Sequence, residues 1–266
     1  MSEKFGIDVS HHNGRIDWEH VAGTGKRFAI MKCQYEAQSH RMDETFEINY
    51  AGAGRNGLAR GVYIYIARAS MADPVADAKS LLKHLNGRRL EYGIWLDLED
   101  KTVAEKGKAY IRDLAYIYDK IFSDAGYYVG IYCNWDWYNR LIHDDLKNDF
   151  DFWIARYPRN DTGEYKKTSS LRPSNLTAVA WQYSSKGNVA GIQTRVDLNV
   201  DFDGIIELLY DSKPDKTIEE LAREVIDDMW GTDKTVPTRK ERLTAAGFDY
   251  AAVQKRVNEI YKEGKA

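Results

Sequence analysis

Cysteine, charge of one sign and long apolar runs are all scarce in this 266-residue chain, and each scarcity removes a class of function. Two cysteines, Cys33 and Cys133, cannot build a disulfide framework, and no CxxC spacing offers a redox or zinc motif. Each lies in an apolar run, Phe28–Cys33 or Tyr128–Cys133, where a buried free thiol is the ordinary outcome. Lysine and arginine number 38 against 41 aspartates and glutamates, for a net charge of -3. That balance gives neither the basic footprint that DNA or RNA requires nor a broad patch for anionic lipid. No stretch is long enough to span a membrane, so no membrane insertion is expected. The N-terminus, MSEKFGIDVS, has no basic n-region and no apolar h-region and runs straight into a strand. The expectation is a product made in the cytoplasm without a signal peptide, which a separate agent must release if it works outside.

Several motifs are missing too. No GxSxG elbow occurs, and the segment Asp8–Gly14 after the first strand is no GxGxxG. His11 and His12 are adjacent, so in an extended segment their side chains point apart, and no HxH or HExxH spacing accompanies them. No metal and no cofactor are expected, and a hydrogen-bonding role for one histidine fits better.

What is present is a normal globular balance, 43% hydrophobic and 30% charged, with 18 tyrosines. The tyrosines fit amphipathic packing and sugar-binding surfaces equally well. Short apolar runs at Phe5–Val9, Phe28–Cys33, Gly61–Ile66, Gly93–Leu98 and Tyr128–Cys133 read as strands buried on both faces. Helical patterns lie between them at Asp43–Arg55, Pro74–Leu85 and Val103–Ala125. Phe152–Ala155, Ala178–Gln182 and Arg195–Leu198 read as three further strands without long helices between them. Eight strands predict an α/β fold, a TIM-like (β/α)5(β)3 barrel over residues 1–210, with an open doubly wound sheet as the alternative. Residues 211–216 form a polar linker. Residues 217–266 predict a small three-helix module, with capping boxes at Thr217/Glu220 and Thr238/Glu241, Gly247 as a stop and Asp249 as a third cap.

Barrel enzymes carry their chemistry at the C-terminal ends of the strands. Here strand one ends at Asp8, strand four at Asp97 and Glu99, and the last at Asp197. Residues two apart on a strand share a side, with Cα atoms roughly 6.6 Å apart. Neighbouring negative charges and partial burial raise the pKa of one partner, and such a protonated carboxyl is what a departing sugar oxygen requires. A lone DxE also arises as a charged strand end bridged to Arg or Lys. Acids converging from three strands favour a site.

At these residues the chain resembles the family 25 glycoside hydrolases, the Chalaropsis-type lysozymes, across about residues 5–207. The ordered motifs are Gly6-Ile7-Asp8-Val9-Ser10, Phe28-Ala29-Ile30, Gly61-Val62-Tyr63, Leu96-Asp97-Leu98-Glu99, Gly130-Ile131-Tyr132, Trp153-Ile154-Ala155-Arg156-Tyr157, Trp181-Gln182-Tyr183 and Val196-Asp197-Leu198-Asn199. The resemblance implies an N-acetylmuramidase cutting the β-1,4 bond between N-acetylmuramic acid and N-acetylglucosamine of bacterial peptidoglycan. It assigns Glu99 as general acid/base, Asp97 as the neighbouring carboxylate, and Asp8 and Asp197 as the remaining acids. Tyr63, Tyr132, Trp181 and Gln182 match positions that line the sugar groove. Cys33-Gln34-Tyr35-Glu36 departs from the small residues that often follow strand two. A chitinase-like barrel would place acids at positions 92 and 95, where Tyr92 and Trp95 stand. A non-catalytic wall-binding protein is disfavoured because all four acids remain.

The tail resembles a cell-wall-binding repeat of the Cpl-7 type through Leu221–Ile226, Trp230-Gly231, Arg239–Gly247 and Asp249-Tyr250. That likeness implies affinity for muropeptide, with Arg242 and Tyr250 as candidate contacts, and a phage-type endolysin acting on the wall of an infected host. The module carries no strong bulk charge, ten Lys and Arg against eleven Asp and Glu over residues 215–266. Arg239–Arg242 also reads as a solvated helix face.

Overall fold

The computed structural model describes residues 3–34, 41–173, 176–202, 204–205, 216–232, 234, 238–245 and 248–264. The linker at 211–215, Tyr35 and the stop at Gly247 lie outside these. Two compact units are present, one built from residues 1–86 and 90–210, the other centred on 211–266.

Eight strands close the first unit into a barrel in sequence order: β1 (Lys4–Val9), β2 (Phe28–Gln34), β3 (Ala59–Tyr65), β4 (Ile94–Asp97), β5 (Val129–Asn134), β6 (Phe152–Ala155), β7 (Ala178–Gly187) and β8 (Val196–Asp201). Neighbours from β1 to β7 pair in parallel. β8 is antiparallel to both β7 and β1. This corrects the expectation for the last strand: β8 begins near Asp197 rather than ending there. The reversal still delivers Asp197 to the rim where the parallel strands end, directly opposite Asp8.

Helices form at Phe46–Arg55 and Pro74–Leu85, the second with Asp73 accepting from the Ala76 N–H as N-cap and Pro74 in its first turn. The helix expected over 103–125 is broken into Lys101–Ala104 and Gly107–Asp124, because Gly107 takes a left-handed φ of 80°.

Alternation along the strands decides what fills the barrel. Trp95 and Trp153 are fully buried in its middle, ring centroids 6.0 Å apart in an edge-on contact, with Tyr92 stacked on Phe28 nearby. Truncating either tryptophan would cost about 3–5 kcal/mol. Gly130 makes this packing possible, since a Cβ there would lie 2.4 Å from the Trp95 ring. This aromatic plug is the floor on which the rim site rests.

The second unit holds helices Ile218–Ile226, Arg239–Ala245 and Tyr250–Glu263 around Leu221, Val225, Leu243, Val253 and Val257. Glu220 closes the first capping box with Thr217, Glu241 returns to Thr238, and Asp249 caps the third helix. Glu224 is buried here and accepts from Lys216 Nζ at 2.8 Å and Trp230 Nε1 at 2.9 Å.

Candidate active site

The rim encloses a cavity of about 290 Å³ whose wall includes Asp8, Asp97, Glu99 and Asp197. Asp97 is the last residue of β4 and buried. The ladder continues one step beyond it, where Leu98 N–H donates to the Tyr132 carbonyl at 2.9 Å. Glu99 therefore returns to the same side as Asp97, exposed at the cavity mouth. The adjacent Asp100 does other work. It caps Lys101–Ala104, accepting from Thr102 N at 2.8 Å.

Asp8 and Asp197 are ladder partners across the β1–β8 seam and hydrogen-bond to one another. Burial raises Asp8 to about 6, against the pull of donors on Asn199 and Gln182. Burial together with the charge of Asp8 raises Asp197 to about 8. Two carboxyls hydrogen-bond to each other only through a proton, so the two titrate as a unit and share one where isolated carboxyls have lost theirs. The raised carboxyl pair thus lies across the barrel seam, between strands far apart in sequence.

Asp8 Oδ1 accepts from Gln182 Nε2 at 2.8 Å and from Asn199 Nδ2 at 2.7 Å. Gln182 Oε1 in turn accepts from Tyr132 Oη at 2.9 Å and from Tyr157 Oη. Asn199 Oδ1 accepts from Trp153 Nε1 at 2.8 Å. Burial, with the nearby acids, drives the Tyr63 and Tyr132 hydroxyls well above their usual range, so both stay neutral donors.

Of the expected sugar contacts, Tyr63, Tyr132 and Gln182 line the cavity. Trp181 does not. Adjacent strand residues face opposite sides, and with Gln182 inside, the Trp181 indole packs outside against Tyr165 and Tyr183 and donates to the Arg156 carbonyl at 2.9 Å. Tyr157 and Ser185 line the cavity without having been singled out, and Asn199 supports it from within. Asn199 stands two residues from Asp197, and that spacing was the available signal.

His11 Nδ1 lies 2.6 Å from Asp43 Oδ2. Burial would raise Asp43, but bonds from Thr45 and His11 outweigh it and hold the carboxyl low. Among the described residues no group of three or more His, Cys, Asp or Glu is placed to hold a metal ion. Cys33 and Cys133 are buried thiols, and burial pushes Cys133 up. In the second unit Arg242 is exposed, and Tyr250 packs half-buried against the helical core.

A family model of the glycosyl hydrolases family 25 matches residues 7–192. The chain belongs to that family. It is a glycoside hydrolase, and residues 219–261 match the CW_7 repeat. The uncharacterized protein YegX of Escherichia coli O157:H7 is 31% identical over 215 residues, covering 77% of this chain and 71% of that one. The lysozyme of Streptococcus phage Cp-7 is 30% identical over 178 residues, 62% of this chain and 45% of that protein. Among solved structures, the bacterial lysozyme of Streptomyces coelicolor superposes with a TM-score of 0.60 at 26% identity, covering 80% of this chain and all of that one.

Proposed function

We propose that this family 25 enzyme is an N-acetylmuramidase, cutting the β-1,4 bond between N-acetylmuramic acid and N-acetylglucosamine in bacterial peptidoglycan. The observation that carries the reading is the set of four carboxylates from β1, β4 and β8 around one tyrosine-lined cavity. Glycoside hydrolysis needs a proton for the leaving oxygen and negative charge facing the developing oxocarbenium ion. Glu99 stands at the mouth, where a bound glycan and solvent both reach it, and acts as general acid and then base. Asp97, buried below it, stabilises positive charge at the anomeric carbon and orients the sugar's acetamido group. Tyr63, Tyr132 and Gln182 supply the apolar faces and hydrogen bonds that seat the sugar. The helical module anchors the enzyme to muropeptide, with Arg242 and Tyr250 as its contacts, and the catalytic cleft takes the glycan strand. The phage relative favours an endolysin role, with action on the wall of an infected host. Among the described residues no helix is long and apolar enough to cross a membrane.

Digestion of purified sacculi tests this reading. New reducing ends of muramic acid are expected, whereas reducing glucosamine or new peptide amino termini would refute it. Removal of residues 211–266 is expected to weaken wall retention while sparing hydrolysis of short soluble glycans. Loss of soluble activity would instead make the module part of the catalytic fold.

A further inference from the structure

Asp8 and Asp197 face each other across the seam and hydrogen-bond through a shared proton, and the side chains behind them decide where that proton sits. Asn199 is fully buried and opposes Gly6 on β1 and Gln182 on β7. Its amide cannot be turned round, because an indole N–H only donates. Trp153 Nε1 therefore fixes Oδ1, and Nδ2 is left aimed at Asp8. On the other side the Tyr132 and Tyr157 hydroxyls occupy Gln182 Oε1 and turn its Nε2 to the same Asp8 oxygen. We infer that Asn199 and Gln182 are positioning residues: their converging amide N–H groups hold Asp8 as the carboxylate and leave Asp197 as the partner that carries the proton the two share.

Hydrogen bonds donated to a carboxyl favour its charged form, and two on one oxygen favour it twice over. The hydrogen-bond partner of Asp197 is Asp8 itself, and its neighbouring field comes from Asp8, Glu99 and Asp161. Other acids act on the cavity as well. Asp97 from β4 and Asp43 beyond β2 both bear on Tyr63, while Lys32 of β2 lies over the Tyr63 and Tyr65 rings. An unprotonated Asp197 would crowd this cluster with one more negative charge. As a neutral acid it instead donates that proton to Asp8 and adds no charge to the cleft. The role in turnover rests on the muramidase reading; the placement of the proton does not.

Asn199→Asp tests the inference. Its shape is kept, and it can still accept from Trp153. The acid form can donate to Asp8, but the carboxylate cannot and repels it. Hydrolysis of a soluble glycan is expected to stay near wild type in acid and to fall roughly tenfold per pH unit as that carboxyl ionises. Asn199→Leu, read by the titration below, serves if Asn199→Asp does not fold. A purely structural role would lower the melting temperature and leave the profile's shape unchanged, and that result overturns the inference. Carboxyl carbon NMR titration of Asp8 and Asp197 needs no turnover. Asn199→Leu is expected to move the Asp8 titration to higher pH by about one unit, the scale of one lost charge-assisted hydrogen bond. An unmoved titration overturns the inference even if the wild type released no reducing ends, an outcome that would sink the muramidase reading alone.

Discussion

The β4 end and the β1–β8 seam each bring two acids to the same cavity, by opposite means. On β4, Asp97 and Glu99 share a side because alternation along one strand puts them there. At the seam, Asp8 and Asp197 are nearly the length of the barrel apart in sequence and meet because an antiparallel last strand pairs them. The in-strand pair runs from a buried residue to an exposed one, which suits proton delivery to a substrate. The seam pair is buried and tied into amides, which suits charge placement. Spacing alone fixes the first pair, whereas the second needs the topology.

The largest effect that can break this division is at Glu99. Glu99→Gln removes the proton donor and is expected to lower kcat by about 10²–10⁴ while sacculus binding is unchanged in a pull-down. Asp97→Asn keeps the volume but removes the stabilising charge, and a loss of about 10² in kcat/KM is expected in steady-state assays. Asp197→Asn should behave differently. An amide mimics the neutral acid, so activity within about tenfold of wild type is expected, with no decline on this group's account as pH rises through about 8.

Stability follows with a definite sign. Asp8 and Asp197 are raised in the folded state, so between about pH 4 and 8 this pair holds more protons folded than unfolded. The pair's contribution therefore weakens as pH rises through that window. Asp197→Asn is expected to stabilise the barrel by on the order of 1–2 kcal/mol at pH 8 and by less at pH 5, read from denaturant midpoints. The smallest effect on chemistry is at the floor. Gly130→Ala would press a methyl into Trp95, costing about 1–3 kcal/mol of stability with hydrolysis little changed.

Much of this was legible in the sequence. Apolar runs bounded by turns give the parallel strands, and two-residue spacing puts Asp97 with Glu99. Strand direction is not written in composition, and the apolar run at 195–198 does not show that β8 starts there and runs on to Asp201. Trp181 and Gln182 are adjacent on β7, and alternation alone rules out both facing the cleft. Tyr157 lies two residues beyond Ala155 and Asn199 two beyond Asp197, so the same rule could have found both. The Trp153–Asn199–Asp8 chain could not be read, since it depends on which strands close the barrel.

One pH–rate series on a soluble glycan, run side by side on wild type, Glu99→Gln and Asp197→Asn, tests the division of labour most directly. The account predicts Glu99→Gln near background at every pH and Asp197→Asn active with its alkaline decline removed. Near-wild-type turnover by Glu99→Gln at any pH, or an Asp197→Asn variant as inert as Glu99→Gln, would contradict it.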